Sequence, residues 1–167
     1  MFQNFKKLFG KGKNGKNEEK VVSPIEGEVV CITSVSDPTF GEEILGKGVA
    51  IKPTKGRAVA PVSGTVTVLM SSKHAVSIQT DSGAEVLVHV GLDTIKLKGQ
   101  YFTAHVKEGD RVKTGDLLLE FDLDAIRNAG YDTIVPVVVC NSDDYTSIET
   151  FHDRQVKELD VVMRLVK

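Results

Sequence analysis

An all-β fold, an antiparallel β-sandwich or barrel-like body with one or two short helices, is the architecture this sequence predicts. Three observations predict it. The 167 residues include 24 Val and 9 Ile against 12 Leu, a bias toward side chains that suit pleated surfaces. Apolar runs are short and recur between Gly, Pro, Asp and Ser, which reads as strands and turns rather than strands alternating with long helices. Length and composition, 41% hydrophobic and 26% charged, suit one domain that can bury a core.

The first element in chain order is a basic tail, residues 1–20. It holds six lysines against Glu18 and Glu19, a local +4, in a chain whose net charge is −2. Phe2, Phe5, Leu8 and Phe9 follow the spacing i, i+3, i+6, i+7, which places them on one side of a short helix, with Lys6 and Lys7 beside them. Residues 1–9 therefore read either as a weak anchor on an anionic membrane surface or as a solvated tail. Gly10 to Lys20 lacks apolar residues and reads as a tether. Gly10 to Lys16 also fits G-x-x-x-x-G-K, but Asn17 follows where a Ser or Thr hydroxyl should hold the metal. Gly41 to Lys47 repeats the near-miss, followed by Gly48. Neither lies between a buried strand and a long helix, so no nucleotide site is expected. No apolar run approaches the ~18–20 residues that span a bilayer, and no secretory signal is evident. The net charge argues against a general nucleic-acid binder. The expected location is the cytoplasm, with the inner membrane face as its peripheral form.

Residues 21–167 form the expected globular domain. Strands are predicted over 27–33, 48–52, 57–62, 64–70, 74–79, 84–90, 117–121, 134–140 and 158–166, and short helices near 123–129 and 143–151. In the last strand Leu159, Val161, Met163 and Leu165 alternate onto one face. Cys31 and Cys140 sit in Val-rich runs and are expected as buried, reduced thiols. Ser23–Val29 and Ala60–Val66 share the form P-[IV]-x-G-x-V, which suggests two equivalent corners of one sandwich. A third piece, E-G-D-x-V-x-x-G-D from Glu108 to Asp116, resembles the turns of biotinyl and lipoyl carrier domains. Those carriers need an exposed acceptor lysine in a hairpin, and Leu119–Asp124 contains none.

The chemistry is expected at the histidines: His74, His89, His105 and His152. In Glu85–Val90, Val86, Val88 and Val90 make the better core stripe. Parity then puts His89 on the opposite face with Leu87 and Glu85. If 74–79 and 84–90 pair through Thr80–Gly83, paired positions sum to about 163, and His74 meets His89 at one end of the ladder. Two imidazoles can transfer a phosphoryl group, hold a metal with further ligands, or do neither. His105 and His152 read as surface residues.

Val86–Gly99, V-L-V-H-V-G-L-D-T-I-K-L-K-G, resembles the active-site signature of enzyme IIA of the glucose-type (glucose, N-acetylglucosamine, β-glucoside) phosphoenolpyruvate-dependent sugar phosphotransferase system. Lys73–Ile78 resembles its second histidine segment, and Asp122-Leu123 and Pro136–Val139 match downstream landmarks. The resemblance runs from about Val21 to Lys167 and implies the duplicated hybrid motif of that family. It implies a phosphocarrier: His89 is phosphorylated by the carrier protein HPr and passes the group to a IIB domain for coupled sugar uptake and phosphorylation. His74 would donate a hydrogen bond to the phosphoryl oxygens, with Ser72 positioning it and the Gly91 carbonyl orienting His89. Asp93 and Asp37 would face basic residues of HPr, and an apolar collar around the histidines would comprise Phe40, Ile44, Leu45, Met70, Leu87 and Ile95. No cofactor is required. The alternative within the same family is a regulatory adaptor that binds partners according to phosphorylation state, with zinc held by His74, His89 and a partner carboxylate.

Overall fold

The computed structural model describes residues 18–167, and the reading of residues 1–9 as a membrane-surface helix falls outside them. Almost all regular structure is antiparallel β. One three-stranded sheet joins β1 (Glu18–Val22), β14 (Val161–Val166) and β12 (Ser147–Thr150). A second joins β4 (Arg57–Val59), β10 (Leu117–Phe121) and β8 (Phe102–Ala104). The largest has eight strands, in the order β13 (Arg154–Val156), β2 (Gly27–Cys31), β3 (Lys47–Pro53), β11 (Val135–Val139), β7 (Glu85–His89), β6 (Ala75–Gln79), β5 (Gly64–Leu69) and β9 (Arg111–Val112). Two short helices, α1 (Pro38–Gly41) and α2 (Leu123–Asn128), complete the fold. Among the described residues no helix is long and apolar enough to cross a membrane.

The strand alternation builds the core. Val29, Val49, Ile51, Val76, Ile78, Val86, Val88, Val137 and Val139 are fully buried in one cluster, with Met163 and Leu165 contributed from β14. β11 is buried at every position, which fits its place between β3 and β7. The paired corners foreseen at Pro24 and Pro61 are joined reciprocally: Val22 N–H donates to the Pro61 carbonyl and Val59 N–H to the Pro24 carbonyl. Each corner is clasped by a turn of one kind. Ala60 N–H donates to Asp116 O and Gly115 N–H returns to Ala60 O, while Ser23 and Leu159–Asp160 repeat the pattern.

Several expectations need correction. Glu18–Lys20, assigned to the tail, form the first half of β1. The helix expected over 143–151 is a 3-10 turn at Ser142–Asp144 followed by β12. There, Asn141 Oδ1 accepts from Glu85 N–H and Ser142 Oγ bonds Val139 O and Lys47 N–H, which ties the turn to β7, β11 and β3, and Ser147–Thr150 then spend their backbone groups on the ladder with β14. Leu159 is not on the core stripe; it is 51% exposed, at φ 79° in the turn before β14. The cysteines are not buried thiols: Cys140 is exposed just past the buried run of β11, and Cys31 is half-buried.

Candidate active site

His89 ends β7, where burial alternates strictly. Val86 and Val88 enter the core, while Leu87 and His89 stand half-buried on the outer face. The ladder to β6 pairs Ala75 with His89 and Val76 with Val88, so paired positions sum to 164. His74 precedes β6 at the end of a tight turn in which Lys73 adopts φ 61° and its N–H donates to Met70 O. The ladder continues one step further, with Val90 N–H donating to His74 O at 2.7 Å. The two imidazoles meet edge to face, centroids 4.6 Å apart at 84°.

Each ring is held by its Nδ1. His89 Nδ1 lies 2.8 Å from the Gly91 carbonyl oxygen. A carbonyl only accepts, so Nδ1 carries the proton and the neutral ring keeps its lone pair on Nε2. Gly91 is itself fixed: it sits at φ 82°, its N–H bonds Ile134 O, and a Cβ there would lie 2.5 Å from the Thr94 methyl. The Thr94 hydroxyl, fully buried, donates to Val90 O at 2.6 Å. Thr94 is thus a positioning residue that sequence reasoning left without a role, although it belongs to the signature. His74 Nδ1 lies 2.6 Å from Ser72 Oγ, and both residues are buried.

Burial lowers the pKa of both rings. For His74 desolvation leads and the His89 charge adds to it, bringing the value from 6.5 to about 4. For His89 desolvation again dominates, opposed by the Gly91 carbonyl and then by the carboxylates of Asp37 and Asp93. Both imidazoles are therefore neutral at pH 7.

The expected partner-facing residues arrive from three directions. Asp37 caps α1, accepting from Thr39 N–H at 3.0 Å, with Pro38 at the first helical position. Ile44 and Leu45 follow that helix, 69% and 37% exposed. Ile95 is 50% exposed in the 3-10 turn Thr94–Leu97 that Asp93 opens. Met70 and Leu87 are half-buried. Phe40 differs from expectation. Only 3% exposed, it packs beneath the His89 ring at 4.9 Å and forms a wall of the site rather than its rim. His105 and His152 lie apart, beside Glu120 and Asp153. Among the described residues no group of three or more His, Cys, Asp or Glu side chains is arranged to hold a metal.

Residues 19–145 match the family model of the phosphoenolpyruvate-dependent sugar phosphotransferase system, EIIA 1. The chain belongs to the EIIA family. It is similar to a glucose-specific EIIA component of Halalkalibacterium halodurans, 47% identical over 87% of each chain. It is 52% identical, over 78% of its length, to a β-glucoside-specific EIIBCA component of Bacillus subtilis, of which it spans about a fifth (21%). Its fold matches the glucose permease IIA of Mycoplasma capricolum, with TM-score 0.80 and 34% identity, covering 88% of this chain and 95% of that one. EIIA components are phosphotransferases of sugar transport, and the sandwich fold is the one expected for this EIIA chain.

Proposed function

We propose that His89 is the phosphoryl-accepting nucleophile of this EIIA chain, taking the group from phospho-HPr and passing it to the IIB domain of a sugar permease. The bond from His89 Nδ1–H to the Gly91 carbonyl supports this most strongly, because it leaves the Nε2 lone pair free beside His74. As His89 Nε2 forms its bond to phosphorus, the donor's P–N bond breaks and its electron pair returns to the donor imidazole. No proton has to leave His89. Its Nδ1–H stays on the Gly91 carbonyl, which stabilises the positive charge of the phosphorylated ring. With Ser72 Oγ–H donating to His74 Nδ1, His74 Nε2–H is available to the phosphoryl oxygens.

Such a transfer passes through a loose transition state, so the site's task is to position the groups and stabilise spread negative charge. A docked partner covering Leu87, Ile95, Ile44 and Leu45 would exclude water across a small, transient interface. Asp37 and Asp93 offer negative charge to a basic partner. The place of action is the cytoplasm, at the inner membrane face where a permease domain is met. His89 Nε2, together with His74 Nε2 in the other tautomer, in which His74 Nδ1–H donates to Ser72 Oγ, would also supply two of the four ligands of tetrahedral zinc, and a docked partner's carboxylate would have to help complete the set.

Incubation with phosphoenolpyruvate, enzyme I and HPr tests the assignment. Acid-labile, base-stable phosphate is expected on the protein. His89→Ala should abolish labelling, and His74→Ala should accept the group but pass it on slowly. Unchanged labelling of the His89 variant refutes the proposal.

A further inference from the structure

The connector between β12 and β13 frames a cleft of about 570 Å3 that phosphoryl transfer does not use. Lys20, His152, Arg154 and Arg164 line it, with Phe151 and Val161 as apolar floor. Its β13 side stands four strands from β7 in the eight-stranded sheet, roughly 19 Å along the sheet.

The cations here are incompletely neutralised. Lys20 lies directly opposite Arg164 in the β1–β14 ladder, and like charges so placed destabilise a sheet. On the other flank Glu149 accepts from Arg164 Nη1 at 2.8 Å. Glu18 is 3.7 Å from Arg164 Nε, too far for a hydrogen bond, and Nε is buried without a partner. The guanidinium lies over the Phe151 ring, 5.5 Å from its centroid, which fixes its position. His152 Nδ1 is engaged with Asp153, and Arg154 uses one N–H on the Val161 carbonyl. Neither Lys20 nor Arg154 forms an ion pair among the described residues.

We infer that this cleft is a second site, which binds a phosphate-bearing anion: Lys20 and Arg154 hold its oxygens, with the Arg164 guanidinium behind them. An anionic phosphoryl group with several oxygens matches convergent Lys and Arg donors. The volume falls in the range of small-molecule sites and leaves room for an organic part against Phe151 and Val161. Soluble phosphomonoesters and anionic lipid headgroups share this chemistry. Neither source depends on the chemistry at His89.

The full chain is titrated with glycerol 1-phosphate while backbone amides are followed by NMR. It is also sedimented with vesicles of phosphatidylglycerol or of phosphatidylcholine. Saturable shifts over Thr150–Arg154 and at Arg164 are expected. They should weaken about tenfold or more when exposed Lys20→Gln and Arg154→Gln are combined. Binding of the soluble probe alone assigns the cleft to soluble phosphomonoesters. Sedimentation with phosphatidylglycerol that falls in the double variant assigns it to headgroups. The inference is overturned if neither probe binds saturably, if the double variant binds as the parent does, or if the shifts stay within residues 72–95.

Discussion

Burial decides what His74 can do. With 2% of its surface exposed and a pKa of about 4, it is neutral across the physiological range and can offer an N–H without carrying charge. The same shift couples stability to pH. The unfolded chain protonates this histidine below about 6.5, whereas the folded chain resists until about 4. The unfolded state thus binds more protons in that window, and stability falls as pH drops through it. His89, also depressed, adds to the effect in the same direction. Denaturant melts at pH 7 and pH 4 should show a loss attributable to His74 of about 3 kcal/mol. Comparison with His74→Gln isolates that share from the carboxylates. Equal pH dependence in both proteins would show that His74 titrates normally.

At the scale of elements, Leu159 is out of keeping with its surroundings. The turns Lys113–Asp116 and Lys157–Asp160 are built alike: the lysine N–H donates to the aspartate carboxylate, and the aspartate N–H returns to the lysine carbonyl. At the third position Gly115 has φ 97° and Leu159 φ 79°. A left-handed conformation costs a branched L-residue on the order of 1–2 kcal/mol, while Leu159 gains only partial cover, with 51% of its surface exposed. Leu159→Gly should therefore raise the denaturation midpoint, through a stabilisation of about 1 kcal/mol or less after the added freedom of the unfolded chain. A lowered midpoint would show that the leucine's contact outweighs its strain. This turn also explains a failure of pattern reading. Alternation of Leu159 with Val161, Met163 and Leu165 imitates a strand face, but the backbone reverses before β14 begins. α1 was overlooked for a different reason. It is four residues long, too short for periodicity, although Asp37-Pro38 carries a helix-start signal in a capping residue and a proline at the first position.

Across the whole molecule, the sheet brings together groups that the sequence separates. Parity along Glu85–Val90 was enough to turn His89 outward, and the hairpin arithmetic missed the observed register by one. The Ser72–His74 and His89–Gly91 bonds each span two residues, and the family signature alone implied them. Phe40 comes from a distant helix, and nothing in its local spacing foretells that it packs under His89. The short strands β8, β9 and β13 were likewise silent, since two or three residues show no period. The exposed apolar groups around the pair should act through docking. Ile44→Asp and Ile95→Asp are expected to weaken interaction with a phosphoryl donor several-fold, raising the donor KM while kcat holds. A fall in kcat at unchanged KM would instead place these side chains in the chemical step.

The most direct test is 31P and 15N NMR of the phosphorylated chain labelled at its histidines. Phosphorus coupled to Nε2 of His89, with its Nδ1 still protonated, is the predicted result. Phosphorus on Nδ1 of His89, or on the His74 ring, would contradict it.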